Sequence, residues 1–302
     1  MAIEFKDRAQ VPSVNATLLP DFTVTLVREL SGMLRRFADA ASGGALSGAS
    51  ALAQVFGPEI ADARVSYKDV QKREGISVGN FRAWPVFITD GWHGVEAVVF
   101  NREALERCFS EFFPNPSSSI RGGIGEAVRN IGQHGHQQRG SFMVGSEEAR
   151  FAPGGVFVQA LSYSTKDGRN LPVLLAVVAD EGVGIGSPST SLVDGCGDST
   201  RGSQHEGLGI ELQSSLVYVV KARNGEWQLY DRSACEPTRE QIVKPVCSLQ
   251  LPHVERGCQK VMFFVPPLAE KLKHDPELVD QRGVEEELVR HGILRALETL
   301  KS

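Results

Sequence analysis

The stretch Val173-Leu174-Leu175-Ala176-Val177-Val178-Ala179 is apolar throughout and runs directly into Asp180. An apolar run of this length predicts a strand at the centre of a sheet, with both of its faces covered. Asp180 opens the sequence Asp180-Glu181-Gly182-Val183-Gly184-Ile185-Gly186, so a carboxylate and several glycines follow the strand at once. An aspartate in this position can accept a hydrogen bond from an exocyclic amine, and the glycines allow a flat ring to approach the backbone.

Further strands are expected on both sides of this stretch. Residues 155–165 predict the preceding strand, and the turn-rich segment 166–170 joins the two. Alternating or β-branched apolar residues predict additional strands at residues 22–27, 84–89, 94–100, 226–230 and 259–265. The second and third of these flank a turn and predict a β-hairpin.

Apolar residues that recur every three or four positions predict the helices. They are expected at residues 27–41, 47–56, 102–113, 120–134, 207–221 and 276–302. In the last helix the expected apolar face is Val284, Leu288, Ile293, Leu294, Leu297 and Leu300. Residues 135–153 and 187–206 lack such periodicity and are expected to be loops, and the second has the length of a functional lid.

The helix 120–134 carries a carboxylate and a carboxamide one turn apart. Glu126 and Asn130 border its apolar stripe, so we expect them to line a cleft. A carboxamide oxygen suits Mg²⁺, and a carboxylate can accept a proton. At the start of another helix, Gly207-Leu208-Gly209 leaves backbone amides available to a phosphate. Taken singly, each pattern is more common in ordinary surface helices and turns than in functional sites.

In combination and in this order, the motifs resemble those of a known superfamily. The stretch Glu126-Ala127-Val128-Arg129-Asn130-Ile131-Gly132-Gln133-His134-Gly135 resembles the N box of the gyrase, Hsp90, histidine-kinase and MutL superfamily of ATP-binding domains. It is most similar to the anti-sigma-factor serine kinase branch. Asp180 to Ile185 is similar to the first glycine box, and Gly207 to Ile210 to the second. The resemblance implies an α/β fold of the Bergerat type, a two-layer sandwich with a mixed sheet and helices on one face.

The resemblance also implies a role for each matching residue. Glu126 would be the general base, Asn130 would hold Mg²⁺, and Asp180 would bind the adenine amino group of ATP. The other residues at the nucleotide would be Gly182, Gly184, Arg201, Gly207, Leu208 and Gly209. The first two glycines would shape the adenine pocket, the arginine would reach the γ-phosphate from a lid over residues 186–206, and Gly207 to Gly209 would lie at the phosphates.

The predicted organisation is an N-terminal region of uncertain fold (1–84), an ATP-binding domain (85–268) and a helical tail (269–302). The implied function is a Mg²⁺- and ATP-binding regulatory protein that phosphorylates a partner protein or binds it in an ATP-dependent way. One alternative is an ATPase whose hydrolysis drives lid closure and homodimer formation. Another is a degenerate nucleotide-binding scaffold. Glu206 departs from the pattern, because an acid beside phosphates is unfavourable, and it favours binding over rapid turnover.

The composition limits the compartments and the kinds of binding site that are expected. The 302 residues carry a net charge of −5, and this acidic balance gives no indication of nucleic-acid binding. The 5 cysteines are scattered and include no Cys-x-x-Cys pair, so neither a disulfide framework nor a thiolate zinc site is expected. No signal peptide or apolar run long enough to cross a bilayer is evident. We therefore predict a cytoplasmic protein with no membrane association.

Overall fold

Antiparallel strand pairing organises the part of the chain that the structure describes. The computed structural model describes residues 22–42, 76–78, 81–90, 96–99, 120, 122–127, 141–144, 147–180, 215–234, 244–253, 257–265 and 272–302. Its strands are β1 (Ile76–Val78), β2 (Phe81–Asp90), β3 (Glu96–Val99), β4 (Ser141–Val144), β5 (Glu147–Ser164), β6 (Asn170–Asp180), β7 (Val217–Lys221), β8 (Trp227–Asp231), β9 (Cys247–Leu249) and β10 (Gln259–Phe264). Its helices are α1 (Phe22–Ser42) and α2 (Pro276–Glu298), residues 122–127 are also helical, and Arg232–Ala234 is a short 3-10 turn.

The strands form one sheet in the order β1-β2-β5-β6-β10-β7-β8-β9, with β3 added beside β2 and β4 beside β5. The fold therefore belongs to the α/β class in the broad sense of a sheet with helices. Each pairing among the described strands is antiparallel, so the mixed sheet that was predicted is not found in this part of the chain. The predicted hairpin is confirmed by the pairing of β2 with β3, and β2 runs across the expected domain boundary between residues 84 and 85.

Two tight hairpins explain part of the antiparallel order, since a short connection returns the chain beside the strand it has just left. Residues 165–169 join β5 to β6, and residues 222–226 join β7 to β8. Both turns place a glycine at positive φ, Gly168 at 82° and Gly225 at 86°. An L-side chain rarely adopts this conformation, so glycine is favoured at both positions. The turn that the sequence predicted between β5 and β6 is confirmed.

The strand β6 lies at the centre of the sheet. It pairs with β5 along one edge and with β10 along the other. Its residues from Val173 to Ala179 are all buried. The central strand that the apolar run predicted is therefore confirmed, with both faces removed from water.

One face of the sheet packs against α1 and α2. We call it the helix face, and its residues on the central strands include Phe157, Val177, Val261 and Phe263. In α1, buried leucines and a methionine recur at helical spacing and join this core: Leu26, Leu30, Met33 and Leu34. The helix α2 contacts α1, β6 and β7. The predicted apolar tail thus packs on its own protein.

The other face, which we call the far face, is also buried. It carries Val156, Ala176, Val178 and Met262, each no more than 1% exposed. Their positions alternate with those of the helix face, so α1 and α2 do not cover them.

Several predicted elements are corrected by the structure. Residues 22–27, predicted as a strand, are the first turns of α1. The four-residue spacing of Phe22, Leu26 and Leu30 joins them to one buried stripe, and packing on the sheet outweighs the β-branched propensity of this segment. Residues 135–153, predicted as a loop, contain β4 and the beginning of β5.

The helix predicted over residues 207–221 is wrong in its C-terminal part. Val217–Lys221 is the strand β7, which pairs with β10 and β8. Val217, Val219 and Val220 favour a strand when backbone partners are present on both sides. The predicted helices at 47–56 and 102–113, and residues 207–214, lie outside the described residues.

The helix α2 is confirmed, but its predicted apolar face is only partly correct. Ile293 and Leu297 are buried, whereas Val284 and Leu288 lie on the solvent side. Close packing against β5 fixes the position of the buried half of α2. A Cβ placed on Gly292 would come 2.3 Å from the Tyr163 ring of β5. No larger residue fits at this crossing without displacing the tyrosine.

An ion pair also ties α2 to the sheet. The guanidinium of Arg290, only 8% exposed, donates to Asp231 at the end of β8 over 2.5 Å and to Glu287 on its own helix. The hydrogen bond from Arg290 lowers the pKa of Glu287. Asp231 has a second donor in the backbone N–H of Ser233. The Arg290–Asp231 ion pair therefore fixes the position of α2 relative to β8.

We predict that Arg290→Met lowers the free energy of unfolding by about 2–4 kcal/mol, because it leaves the nearly buried Asp231 carboxylate without its charged partner. Urea denaturation of the full chain measures this. Lys301→Met is the matched control, since its ion pair with Glu298 is exposed and an exposed pair contributes less than about 1 kcal/mol. Equal losses in the two variants would contradict the assignment of Arg290 as an anchor.

Candidate functional site

Among the predicted site residues, Glu126 and the backbone of Asp180 fall within the described part of the chain. The others, Asn130, Gly182, Gly184, Arg201, Gly207, Leu208 and Gly209, lie outside the described residues. The described residues therefore give no distance from Glu126 or Asp180 to these seven residues. The described part of the site consists of the end of β6 at Asp180, Glu126 and the buried polar residues on the strands beside β6.

Asp180 is the last residue of β6. It still pairs with Gly154 of β5, but on the other side the ladder with β10 begins one residue earlier, at Ala179 and Gln259. Strand alternation assigns position 180 to the far face, the face of Val178. The predicted acceptor thus follows a backbone that is held on both sides up to the preceding residue.

Glu126 lies in the helical residues 122–127 and is only 7% exposed. Ile124 and Ala127 beside it are buried as well, whereas Gly125 is exposed. Glutamate is rarely buried to this extent in an ordinary surface helix. The burial therefore favours the inward-facing position that the sequence predicted over a plain surface residue.

Sequence reasoning missed a group of buried polar residues on β7 and β10. Lys221 and Gln259 are both 0% exposed, and Lys260 is 3% exposed. The sequence placed Lys221 at the C-terminus of the predicted helix 207–221, which is wrong because the residue is the last of β7. A signal was present at Gln259-Lys260, since two polar residues open a strand that is otherwise apolar.

These polar residues divide between the two faces. Lys221 and Gln259 occupy the helix face, in one cross-strand row with Ala179 and Trp227. Lys260 occupies the far face, between Val178 and Val220. The strand ends beside Asp180 are thus the polar part of an otherwise apolar sheet centre. Burial of such groups is costly unless something compensates it.

Gln259 is the clearest case of this cost. Neither its amide nitrogen nor its amide oxygen has a hydrogen-bond partner among the described residues, although the side chain is fully buried. Gln159 of β5, on the same face, differs in part. Its amide nitrogen donates to the Glu29 carboxylate over 3.3 Å, whereas its amide oxygen likewise has no partner among the described residues. An unsatisfied buried amide lowers stability by about 1–3 kcal/mol. Proteins retain such groups most often where they serve another purpose.

Neither a metal cluster nor a membrane segment is found in the described residues. They contain no group of three or more His, Cys, Asp and Glu side chains that could hold a metal ion. None of the described helices combines the length and the apolar character needed to cross a bilayer. The predicted Mg²⁺ ligand, Asn130, belongs to the residues outside this description.

Comparison with known proteins gives no match. No protein-family model matches the chain, and no match is found among curated proteins or among solved structures.

We predict that Gln259→Met raises the free energy of unfolding by about 1 kcal/mol, because it replaces two unsatisfied amide atoms by apolar ones of similar volume. Gln159→Met is the matched control and should not raise it, since the variant loses the hydrogen bond to Glu29 along with one unsatisfied amide oxygen. Chemical denaturation of both variants measures the difference. A loss of stability in Gln259→Met would contradict the prediction and would indicate that the amide has a bound partner in solution.

Proposed function

We propose that this protein binds Mg²⁺ and ATP through an ATP-binding domain of the gyrase, Hsp90, histidine-kinase and MutL type. It acts as a regulatory protein that phosphorylates a partner on serine or threonine or binds the partner in an ATP-dependent way. The observation that carries the proposal is the position of Asp180. It ends the most deeply buried strand of the sheet and is followed immediately by the glycines at 182, 184 and 186.

The support from Asp180 is physical. A carboxylate accepts a hydrogen bond from an exocyclic amine best when it is held in place before the ligand arrives. The backbone of β6 is hydrogen bonded to β5 through residue 180 and to β10 through residue 179. The glycines that follow allow a purine ring to lie close against the chain. Asp180 thus has both the chemistry and the support that an adenine acceptor needs.

The burial of Glu126 supports the second part of the proposal. A general base must lie within hydrogen-bond reach of the hydroxyl or water whose proton it accepts, so its side chain must face the reaction site and not open solvent. Glu126 is buried on a helix whose other inward residues are Ile124 and Ala127. It is proposed to accept the proton from a partner hydroxyl or a water molecule.

The donor set proposed for the metal and the phosphates fits their chemistry. The carboxamide of Asn130 follows Glu126 by four residues and offers the hard oxygen that Mg²⁺ prefers. Backbone amides at Gly207, Leu208 and Gly209 can donate to phosphate oxygens. The two glycines carry no side chain that would block a phosphate from these amides. Bound Mg²⁺ would supply positive charge to the triphosphate.

We expect isothermal titration calorimetry to detect binding of Mg²⁺ and ATP to the wild-type chain. In Asp180→Asn the affinity should fall at least about tenfold, because the uncharged amide oxygen accepts a hydrogen bond from the exocyclic amine more weakly than a carboxylate does. Asp167→Asn is the matched control, since Asp167 lies exposed in the β5–β6 turn. A folded wild type that shows no heat with ATP would refute the proposed function.

We expect Glu126→Gln to bind ATP with nearly wild-type affinity and to lose hydrolysis or phosphate transfer by about 10²–10⁴-fold, the usual contribution of a general base. Phosphate release and radiolabel transfer to co-purified protein measure the two reactions separately. Glu277→Gln, at the exposed start of α2, serves as control. Wild-type turnover in Glu126→Gln would remove this residue from the proposed role, and ATP binding without turnover in the wild type would favour the scaffold.

A further inference from the structure

The solvent side of α2 carries two apolar residues between charged and polar ones. Val284 is 58% exposed and Leu288 is 36% exposed, and both lie opposite the side of the helix that packs on the sheet. At about 100° per residue, six exposed side chains of α2 lie within one arc of about 80°. We call this arc the outer stripe, and it consists of Glu277, Gln281, Val284, Leu288, His291 and Arg295.

Single features of the outer stripe have ordinary explanations. Exposed apolar residues are common on protein surfaces. Glu277 in the first turn and Arg295 in the last turn of α2 also favour the helix dipole, which accounts for the signs of their charges. Neither explanation accounts for the way in which the six residues are placed relative to one another.

The outer stripe is self-complementary about position 286. This position is the midpoint of three pairs of its residues: Val284 and Leu288, Gln281 and His291, and Glu277 and Arg295. If a second copy of α2 lies antiparallel on the stripe, with a two-fold axis at position 286, each residue is level with the other member of its pair. The apolar residues then meet at the centre, and a carboxylate faces a guanidinium at both ends. A parallel second helix would place like charges together.

We propose that two copies of this chain associate through the outer stripe, as an antiparallel pair of α2 helices related by two-fold symmetry. At 1.5 Å per residue, Glu277 and Arg295 are about 27 Å apart along one helix, so they can pair only between copies. A contact of this length between two helices buries less than the roughly 1,200 Å² of a standard interface, and the dimer is therefore expected to be weak, with a Kd of about 10–100 µM.

One acid beside the outer stripe lies close to the proposed two-fold axis. Glu287 precedes Leu288, and the two copies of this glutamate would approach each other in the dimer. Arg290 of the same chain donates to both carboxylate oxygens of Glu287. This pairing offsets the charge of Glu287 within each copy and reduces the repulsion between the two.

Sedimentation of the full chain without nucleotide, at about 5–500 µM, should show a monomer–dimer equilibrium. Val284→Glu should weaken the association at least about tenfold, because it places two carboxylates in the apolar centre of the contact. Val279→Glu is the matched control. Val279 is 41% exposed on the same helix but lies outside the outer stripe, so this variant should dimerise as the wild type does.

A charge exchange tests the antiparallel register. Glu277→Arg and Arg295→Glu should each weaken self-association by about tenfold, because like charges then face each other at both ends of the contact. An equal mixture of the two variants should dimerise about as well as the wild type, since every arginine again faces a glutamate. Thermal melting of each variant shows whether the samples are folded.

Three outcomes would overturn the proposal. A wild type that stays monomeric over the whole range does so, even if a different protein binds the outer stripe. A dimer that persists unchanged in Val284→Glu places the interface elsewhere on the molecule. Failure of the mixture to dimerise, with both variants folded, excludes the antiparallel pairing. Since no nucleotide is present, these results do not depend on the proposed ATP site.

Discussion

The structure depends on the hydrogen bonding of β6 along both of its edges. A strand that is apolar on both faces can be buried only if its backbone groups find partners, and β5 and β10 supply them. The ladder with β5 continues to the final residue, Asp180, whereas the ladder with β10 ends at Ala179. The sheet thus fixes a polar residue at the edge of its most apolar region. The candidate site lies at this end of β6.

The layer of α1 and α2 completes the helix face and is held by a few specific contacts. Gln159 donates to Glu29 of α1, and the Phe22 and Tyr163 rings meet edge to face with their centroids 5.0 Å apart. On α2, Arg290 reaches Asp231, and the chain after the helix returns to β9, where the N–H of Gln250 donates to the carbonyl of Leu300 over 2.7 Å. The first and last described helices therefore pack on one face, and the N- and C-terminal parts of the chain share one core.

The end of β7 and the start of β10 carry buried polar residues, which a sheet selected only for stability would not need. Apolar residues would occupy positions 221, 259 and 260 at lower cost, yet the chain carries lysine, glutamine and lysine there. The buried polar residues are arranged differently on the two faces of the sheet. On the helix face Gln259 has no hydrogen-bond partner in the described part of the chain and lies in one row with Lys221. On the far face, position 260 is diagonal to position 180.

The sequence by itself determined the central strand, the hairpins around it and the terminal helix, because each of these depends on a local period or on turn residues. It also determined which carboxylates, amides and glycines are available for chemistry, including Glu126 and Asp180. It did not determine that residues 22–27 are helical, that 217–221 form a strand or that Lys221 is buried, since partners distant in the chain decide these outcomes. Only the tertiary structure brought Lys260 diagonal to Asp180, because the register between β6 and β10 joins residues some eighty positions apart, and no local pattern encodes such a pairing.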